Sequence, residues 1–142
     1  MTTVREIMTG GAECAHTEES LVDVARKMRD LGVGSLPICG QDHRLHGMVT
    51  DRDIVVRVVA DGDDPTVLRV SEFATEKPVT VGADDSLEEA IQTMSDHEVR
   101  RLPVIDGHDL IGVLSQADIA QHCPDDQVAN LVAMVSSAPG NN

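Results

Sequence analysis

The sequence predicts an α/β (α+β) protein built from two copies of one β-α-β-β-α unit. Three features predict this class: an internal repeat along most of the chain, helices with one apolar stripe, and short apolar strands between turn residues. Corresponding residues lie 66 positions apart at first, and 65 apart after a turn that is one residue shorter in the second copy. The matched segments include Ser20-Leu21 with Ser86-Leu87, Leu36-Pro37-Ile38 with Leu102-Pro103-Val104, and Gly47 with Gly112.

The first half of each copy is predicted to be a strand followed by an amphipathic helix. Before the first strand, Val4, Ile7 and Met8 form a short apolar turn that closes one end of a core. Cys14 lies on or beside the first strand, because the corresponding segment of the second copy, residues 78–81, is typical of a strand. Helical spacing of apolar residues follows at Leu21, Val24, Ala25, Met28 and Leu31, and at Leu87, Ala90, Ile91 and Met94.

The second half of each copy is predicted to contain two strands and a second helix. Residues 34–39 and 100–105 are strands parallel to the first one, and their prolines indicate strand starts or bulges. After a turn, residues 45–49 and 110–114 return antiparallel. The second helices run from Asp51 to about residue 60 and from Gln116 to about residue 123. Each unit is therefore expected to be a three-stranded sheet with helices on one face.

The predicted boundaries are 4–60 for the first repeat, 61–69 for an acidic linker, 70–123 for the second repeat and 124–142 for a short helix and loose tail. Between Ile54 and Val59 the second helix carries too many apolar residues for one stripe. We therefore expect a second buried face there, against the other repeat or another chain. The two repeats are predicted to fold as one pseudo-twofold module, and modules to pair through helices as homodimers.

One motif occurs at the same place in both copies: a glycine, a hydroxyl residue three positions later, and an aspartate three positions after that. The residues are Thr50 and Asp53 in the first copy, and Ser115 and Asp118 in the second. A helix N-terminus offers unpaired N–H groups to a phosphate, while the carboxylate can accept hydrogen bonds from a ribose diol. The same spacing also forms a capping box that needs no ligand. Both interpretations stay open at this point.

The order of strand, helix ending in methionine, Leu-Pro-Ile/Val, hairpin and Gly-x-x-Thr/Ser-x-x-Asp resembles a tandem pair of cystathionine-β-synthase (CBS) domains. The resemblance covers nearly all of the chain, with two correctly spaced copies of the motif. It implies a stand-alone regulatory or stress-response binding protein. It also implies an adenosine-type ligand, such as AMP, ATP or S-adenosylmethionine, in clefts between the repeats.

Composition limits the partners of the chain. A formal net charge of −14 opposes binding to nucleic acid or anionic membranes, and a single aromatic residue provides no stacking platform for bases. Any phosphate site must therefore rely on local donors such as Arg52, Arg100 or Arg101. No apolar run approaches membrane-spanning length, and the N-terminus lacks a signal-peptide pattern. We expect a cytoplasmic protein. If it is found outside cells, it is released without a recognisable secretion signal.

The cysteines and histidines offer two further hypotheses. Cys14 and Cys39 are predicted on neighbouring strands, where they form either a disulfide or two buried thiols, leaving Cys123 free. His97 and His122 end the two helices of the second copy. They could meet across a helix-paired dimer and bind zinc, or simply interact with the helix dipoles.

The sequence does not indicate an enzyme. It lacks a nucleophile elbow, a P-loop, a His-Glu-x-x-His motif and a dinucleotide-binding fingerprint. Two functions remain in competition. One is an adenine-nucleotide sensor that regulates a partner protein. The other is a dimeric interaction protein with vestigial nucleotide clefts, stabilised by a disulfide, an interchain zinc site or both.

Overall fold

The computed structural model describes residues 2–11, 13–74 and 78–122, which form two compact units. The first unit contains the described residues between 13 and 78. The second unit contains those from 79 to 122 together with the N-terminal residues 2–11. Each unit has its own hydrophobic core, as the two predicted repeats require. The predicted mixed α/β class with tandem repeats is confirmed.

The first unit is a three-stranded sheet with helices packed on it, as predicted. β2 (Ala15–His16) pairs in parallel with β3 (Ser35–Cys39), and β3 pairs antiparallel with β4 (Leu45–Thr50), which gives the order β2-β3-β4. The elements are β2 (Ala15–His16), α2 (Leu21–Leu31), β3 (Ser35–Cys39), β4 (Leu45–Thr50), α3 (Asp51–Ile54), a π-helical turn (Val55–Val59) and a 3-10 helix (Val70–Phe73).

Helix α2 shows why local sequence determines these elements well. It begins at Ser20, whose side chain accepts the N–H of Asp23 at 3.2 Å, and it ends at Gly32, which adopts a left-handed conformation with φ of 68°. Its buried stripe consists of Leu21, Val24 and Met28. The predicted stripe was too wide, because Ala25 is exposed and Leu31 is 45% exposed.

The second unit has a four-stranded sheet, and the prediction of three strands is wrong here. The extra strand is β1 (Thr9–Gly10), which comes from the N-terminus and pairs antiparallel with β7 (Asp109–Ser115). With β6 (Arg101–Asp106) and β5 (Val81–Gly82), the strand order is β1-β7-β6-β5. The remaining pairs match the first unit, with β5 parallel to β6 and β6 antiparallel to β7. The elements are α1 (Val4–Ile7), β1 (Thr9–Gly10), β5 (Val81–Gly82), α4 (Leu87–His97), β6 (Arg101–Asp106), β7 (Asp109–Ser115) and α5 (Gln116–His122).

The first residues of each repeat pack into the core of the unit that contains most of the other repeat. Val4 and Ile7 of α1 are buried in the second unit, beside residues such as Leu102. Val70, at the start of the second repeat, is buried in the first unit. The guanidinium of Arg57 also lies 4.4 Å from the centre of the Phe73 ring. The N-terminal turn therefore closes a core, as expected, but the core belongs to the other repeat. Val70 has the corresponding position in the first unit.

The helix after β4 changes its hydrogen-bonding pattern along its length. After α3 it continues as a π-helical turn, in which the N–H of Ala60 donates to the carbonyl of Val55 at 2.9 Å. Only Val58 of this turn is buried, while Val55, Val56 and Val59 are 58%, 46% and 60% exposed. The predicted helix to about residue 60 is present, and it leaves three valines uncovered by the first unit.

Candidate functional site

The motif of the first unit is placed where β4 runs directly into α3. The N–H of Asp53 donates to the Thr50 hydroxyl at 3.0 Å, and the N–H of Thr50 donates to Oδ2 of Asp53 at 2.9 Å. These reciprocal bonds form a capping box, which satisfies donors that a helix start leaves unpaired. Arg52, the candidate phosphate donor here, is exposed in the first turn of α3.

The motif of the second unit repeats this geometry where β7 runs into α5. The N–H of Asp118 donates to the Ser115 hydroxyl at 3.0 Å, and the N–H of Ser115 donates to Oδ2 of Asp118 at 2.9 Å. The capping interpretation therefore describes both motifs correctly. Capping does not use every acceptor of the motif, because a carboxylate has two acceptor oxygens and each box uses only Oδ2.

Sequence reasoning missed a contact to the second motif from the N-terminal segment. The hydroxyl of Thr9 in β1 lies 3.3 Å from Oδ1 of Asp118. β1 can approach β7 this closely because Gly112 has no side chain. A Cβ at Gly112 would lie 2.6 Å from the carbonyl oxygen of Thr9. The glycine of the motif therefore makes room for the strand that delivers Thr9.

Arg100 and Arg101 precede the same motif at the start of β6. The N–H of Gln116, the first residue of α5, donates to the carbonyl of Arg100 at 2.9 Å. The Nε of Arg100 is buried and has no hydrogen-bond partner among the residues that the structure describes. A buried donor without an acceptor costs about 1–3 kcal/mol, so an acceptor that reached this nitrogen would recover that free energy. Arg101 is half-buried in β6.

The two predicted cysteine partners meet in the first unit. Cys14 lies one residue before β2 and Cys39 ends β3, where the register shifts by a bulge. Their Cα atoms are 5.7 Å apart and their sulfur atoms are at bonding distance, as in a disulfide. Cys123, expected to keep a free thiol, lies outside the described residues, as does the predicted helix within 124–142.

A half-buried ion pair, also missed from the sequence, lies beside this disulfide. The ammonium of Lys27 donates to Oε1 of Glu19 at 2.8 Å and to the carbonyl of Cys14 at 2.7 Å. Burial acts to raise the pKa of Glu19, but the hydrogen bonds from the His16 N–H and from Lys27 outweigh it. The net pKa of Glu19 therefore lies below its ordinary value.

The two histidines proposed for zinc occupy the ends of helices in the second unit. His97 is the last residue of α4 and His122 the last described residue of α5, and both are exposed. The Nδ1 of His122 donates to the carbonyl of Asp118 at 2.9 Å. This bond leaves Nε2 unprotonated in the neutral ring, the form that ligates metals. Within the described part of one chain, no three metal-ligating side chains come together.

The helices of residues 2–11, 13–74 and 78–122 include none long and apolar enough to cross a membrane. The cytoplasmic location stays a prediction.

The fold and the paired motifs define a tandem CBS-domain protein. The CBS domain family model matches residues 4–60 and 70–125, so the chain belongs to this family. The chain is similar to hypoxic response protein 1 of Mycobacterium tuberculosis, with 44% identity over 137 residues that cover 96% of both chains. A solved structure of hypoxic response protein I with two coordinated zinc ions has 46% identity and a TM-score of 0.81, covering 87% of this chain and 100% of that one.

Two other solved proteins relate the fold to ligands and assembly. The CBS domain pair of MJ0100, solved with 5′-methylthioadenosine and S-adenosyl-L-methionine, has a TM-score of 0.75. It covers 84% of this chain and 94% of that one, but its 23% identity shows the fold alone. A hexameric CBS-CP12 protein from bloom-forming cyanobacteria is 28% identical, with a TM-score of 0.74, and covers 85% of this chain and 71% of that one.

Proposed function

We propose that this protein is a CBS-domain regulatory protein that binds an adenosine-type ligand at its Thr/Ser–Asp motifs. The ligand class is AMP, ATP or S-adenosylmethionine, and binding would regulate a partner protein. The observation that carries the proposal is the buried Nε of Arg100, which has no acceptor among the described residues. The backbone carbonyl of the same residue accepts a hydrogen bond from the N–H of Gln116, the first residue of α5.

The carboxylates of the motifs support the ribose part of this proposal. Each capping box holds its aspartate at the first turn of a helix and uses one carboxylate oxygen, Oδ2. The other oxygen, Oδ1, lies outside the box in both Asp53 and Asp118, and a ribose diol presents two hydroxyl donors to such an acceptor. In the second unit the Thr9 hydroxyl already contacts Oδ1, so a ribose there would share or displace this contact.

Arg100 supports the phosphate part of the proposal. With a formal net charge of −14, the protein as a whole repels phosphate, so recognition needs a local donor. A guanidinium whose Nε is already desolvated provides one, because a charge-assisted hydrogen bond to phosphate would satisfy that nitrogen. The second unit is therefore the proposed phosphate-binding half of the protein.

Calorimetric titration with AMP, ATP and S-adenosylmethionine, run beside thermal melts, tests the proposal. We expect heat of binding and a ligand-dependent rise in Tm for the unmodified chain. Arg100→Gln should weaken AMP and ATP about tenfold and leave S-adenosylmethionine, which has no phosphate, nearly unchanged. Arg29→Gln, at a 72% exposed arginine side chain, is the matched control. Absence of heat and of any Tm shift at millimolar concentrations of all three ligands would refute the sensor function.

A second candidate function is a dimeric interaction protein, and the exposed valines favour it. Val55, Val56 and Val59 lie on one turn of helix and expose apolar area that a homodimer would bury. In sedimentation experiments at micromolar concentration, we expect a dimer that Val56→Glu dissociates. Val67→Glu, at a 66% exposed valine in the linker turn, should leave it intact. A monomeric unmodified protein would contradict the pairing.

The same candidate includes an interchain zinc site made by His97 and His122. The Asp118 carbonyl prepares His122 for metal by holding the proton on Nδ1, and the similar hypoxic response protein I was solved with zinc. Elemental analysis of the purified protein should find zinc, which His97→Ala and His122→Ala remove and His108→Ala, in an exposed hairpin, does not. Zinc retained by both helix-end variants would place the metal elsewhere.

A further inference from the structure

The loop between β2 and α2 in the first unit has a matched counterpart between β5 and α4 in the second unit. In each unit, two backbone N–H groups donate to backbone carbonyls, and a third donates to the acidic side chain that ends the loop. In the first unit, the N–H of Thr17 donates to the Cys39 carbonyl (3.1 Å), the N–H of Glu19 to the His16 carbonyl (2.8 Å), and the N–H of His16 to Oε1 of Glu19 (2.9 Å). In the second unit, the N–H of Ala83 donates to the Ile105 carbonyl (2.9 Å), the N–H of Asp85 to the Gly82 carbonyl (3.1 Å), and the N–H of Gly82 to Oδ2 of Asp85 (2.8 Å).

Two connections are made to the loop of the first unit and not to its counterpart in the second unit. The disulfide ties Cys14, just before the loop, to Cys39, whose carbonyl accepts the N–H of Thr17. Lys27 then bridges the carbonyl of Cys14 and the carboxylate of Glu19, from a side chain that is only 25% exposed. At the corresponding positions the second unit has Thr80, Ile105 and Thr93, which cannot form either connection.

The loop of the first unit also binds residues 68–71, where the end of the linker meets the start of the second repeat. The N–H of Val70 donates to the carbonyl of Glu19 at 2.9 Å, and the N–H of Ser71 donates to the carbonyl of Thr17 at 3.1 Å. A third bond runs from the N–H of Leu21 to the carbonyl of Leu68, at 3.1 Å. The cysteine pair is therefore linked to residues 68–71 through a single short loop.

We propose that Cys14 and Cys39 form a redox-operated clamp that controls the docking of residues 68–71 on this loop. In the oxidising step, one cysteine thiolate attacks a low-molecular-weight disulfide, which forms a mixed disulfide and releases one small thiol. The second cysteine then attacks the protein sulfur of the mixed disulfide, which forms the Cys14–Cys39 bond and releases the second small thiol. Two thiols of the protein become one disulfide, and two electrons and two protons reduce the external disulfide to two thiols. Oxidation locks residues 14–20 and residues 68–71 on them, whereas reduction leaves that loop held by noncovalent bonds alone. The second unit, which lacks the clamp, does not respond.

Hydrogen exchange of the full chain, oxidised with glutathione disulfide or reduced with a phosphine, tests the clamp. We expect oxidation to slow exchange about tenfold at His16, Thr17 and Glu19 and, through the loop, at Val70 and Ser71. The internal controls are the amides at the corresponding positions of the second unit. Gly82, Ala83 and Asp85 correspond to the loop of the first unit. Val4 and Arg5 correspond to Val70 and Ser71, and their N–H groups donate to the carbonyls of Asp85 and Ala83 at 3.0 and 2.8 Å. Their exchange should not change with redox state.

Variants separate the clamp from general stabilisation by a disulfide. The double variant Cys14→Ser, Cys39→Ser should exchange like the reduced protein under both conditions. Lys27→Met should speed exchange of the loop in the oxidised protein, whereas Arg26→Met, which removes a 62% exposed arginine side chain, should not. Equal redox effects in the two loops, or protection of residues 14–20 without any change at Val70 and Ser71, would overturn the proposal.

Discussion

The hydroxyl of Thr9 lies 3.3 Å from Oδ1 of Asp118, although the two residues are 109 positions apart in the chain. The contact exists because β1 pairs with β7, placing Thr9 opposite Val113. The first residues of the first repeat thus contact the motif of the second. Asp118 consequently accepts hydrogen bonds from the Ser115 N–H, through Oδ2, and from the Thr9 hydroxyl, through Oδ1.

Replacing Asp118 with alanine separates the capping role from ligand binding. Loss of the capping box should cost about 1 kcal/mol of unfolding free energy. If the carboxylate also holds a ribose, affinity for AMP should fall by at least about tenfold, since charge-assisted hydrogen bonds are worth roughly 1.5–3 kcal/mol each. Calorimetric titration and thermal melts measure the two effects independently.

Asp53→Ala makes the same comparison in the first unit, and Asp109→Ala, in an exposed hairpin, serves as the control. A loss of stability in Asp118→Ala with unchanged AMP affinity would leave the aspartate a capping residue only.

The disulfide is predicted to stabilise the oxidised protein. Cys14 and Cys39 are separated by 25 residues, and closing a loop of that size adds about 3 kcal/mol by the chain-entropy estimate. The double serine variant should lose this amount in urea unfolding, and the reduced unmodified protein should match the variant. Peptide mapping without reductant should then find one free thiol per chain, that of Cys123. Recovery of all three thiols in the free form after mild oxidation would refute the pairing.

Glu98→Gly is predicted to stabilise the protein. Glu98 ends α4 in a left-handed conformation with φ of 54°, and Gly32 occupies the same position after α2 with φ of 68°. A side chain is disfavoured in this region by roughly 1 kcal/mol, so glycine should raise the unfolding free energy by about 0.5–1 kcal/mol. Chemical denaturation measures the gain. The reciprocal control, Gly32→Ala, should destabilise by a similar amount, and a neutral or destabilising Glu98→Gly would contradict the argument.

Glu19 is predicted to contribute to the loss of stability in acid. Its pKa is lowered in the folded protein, so its contribution is fully present above the ordinary glutamate pKa and is lost as pH falls through the lower folded pKa. Glu19→Gln should therefore flatten the dependence of unfolding free energy on pH below about pH 4. Glu18→Gln, at an exposed neighbour, should leave that dependence unchanged. An identical acid profile for the two variants would show that the Lys27 pair contributes nothing.

Local sequence determined the elements of the two repeats. Ser20 and Ser86 cap helices α2 and α4, and each cap is followed by an apolar stripe whose spacing identifies a helix. The hydroxyl–aspartate spacing likewise predicted the start of α3 and α5, because a capping box depends only on residues within one turn. The positions of the candidate site residues in the chain were therefore readable without a structure.

The tertiary structure alone decided which core the first residues of each repeat enter. The apolar pattern of Val4 and Ile7 predicts burial, but burial in either repeat would remove the same area from water, so hydrophobicity does not select the core. Strand pairing between β1 and β7, made possible by the absence of a side chain at Gly112, selects the second unit. The Thr9 contact to Asp118 and the Lys27 bridge to Cys14 follow from such long-range packing, and no spacing in the sequence encodes them.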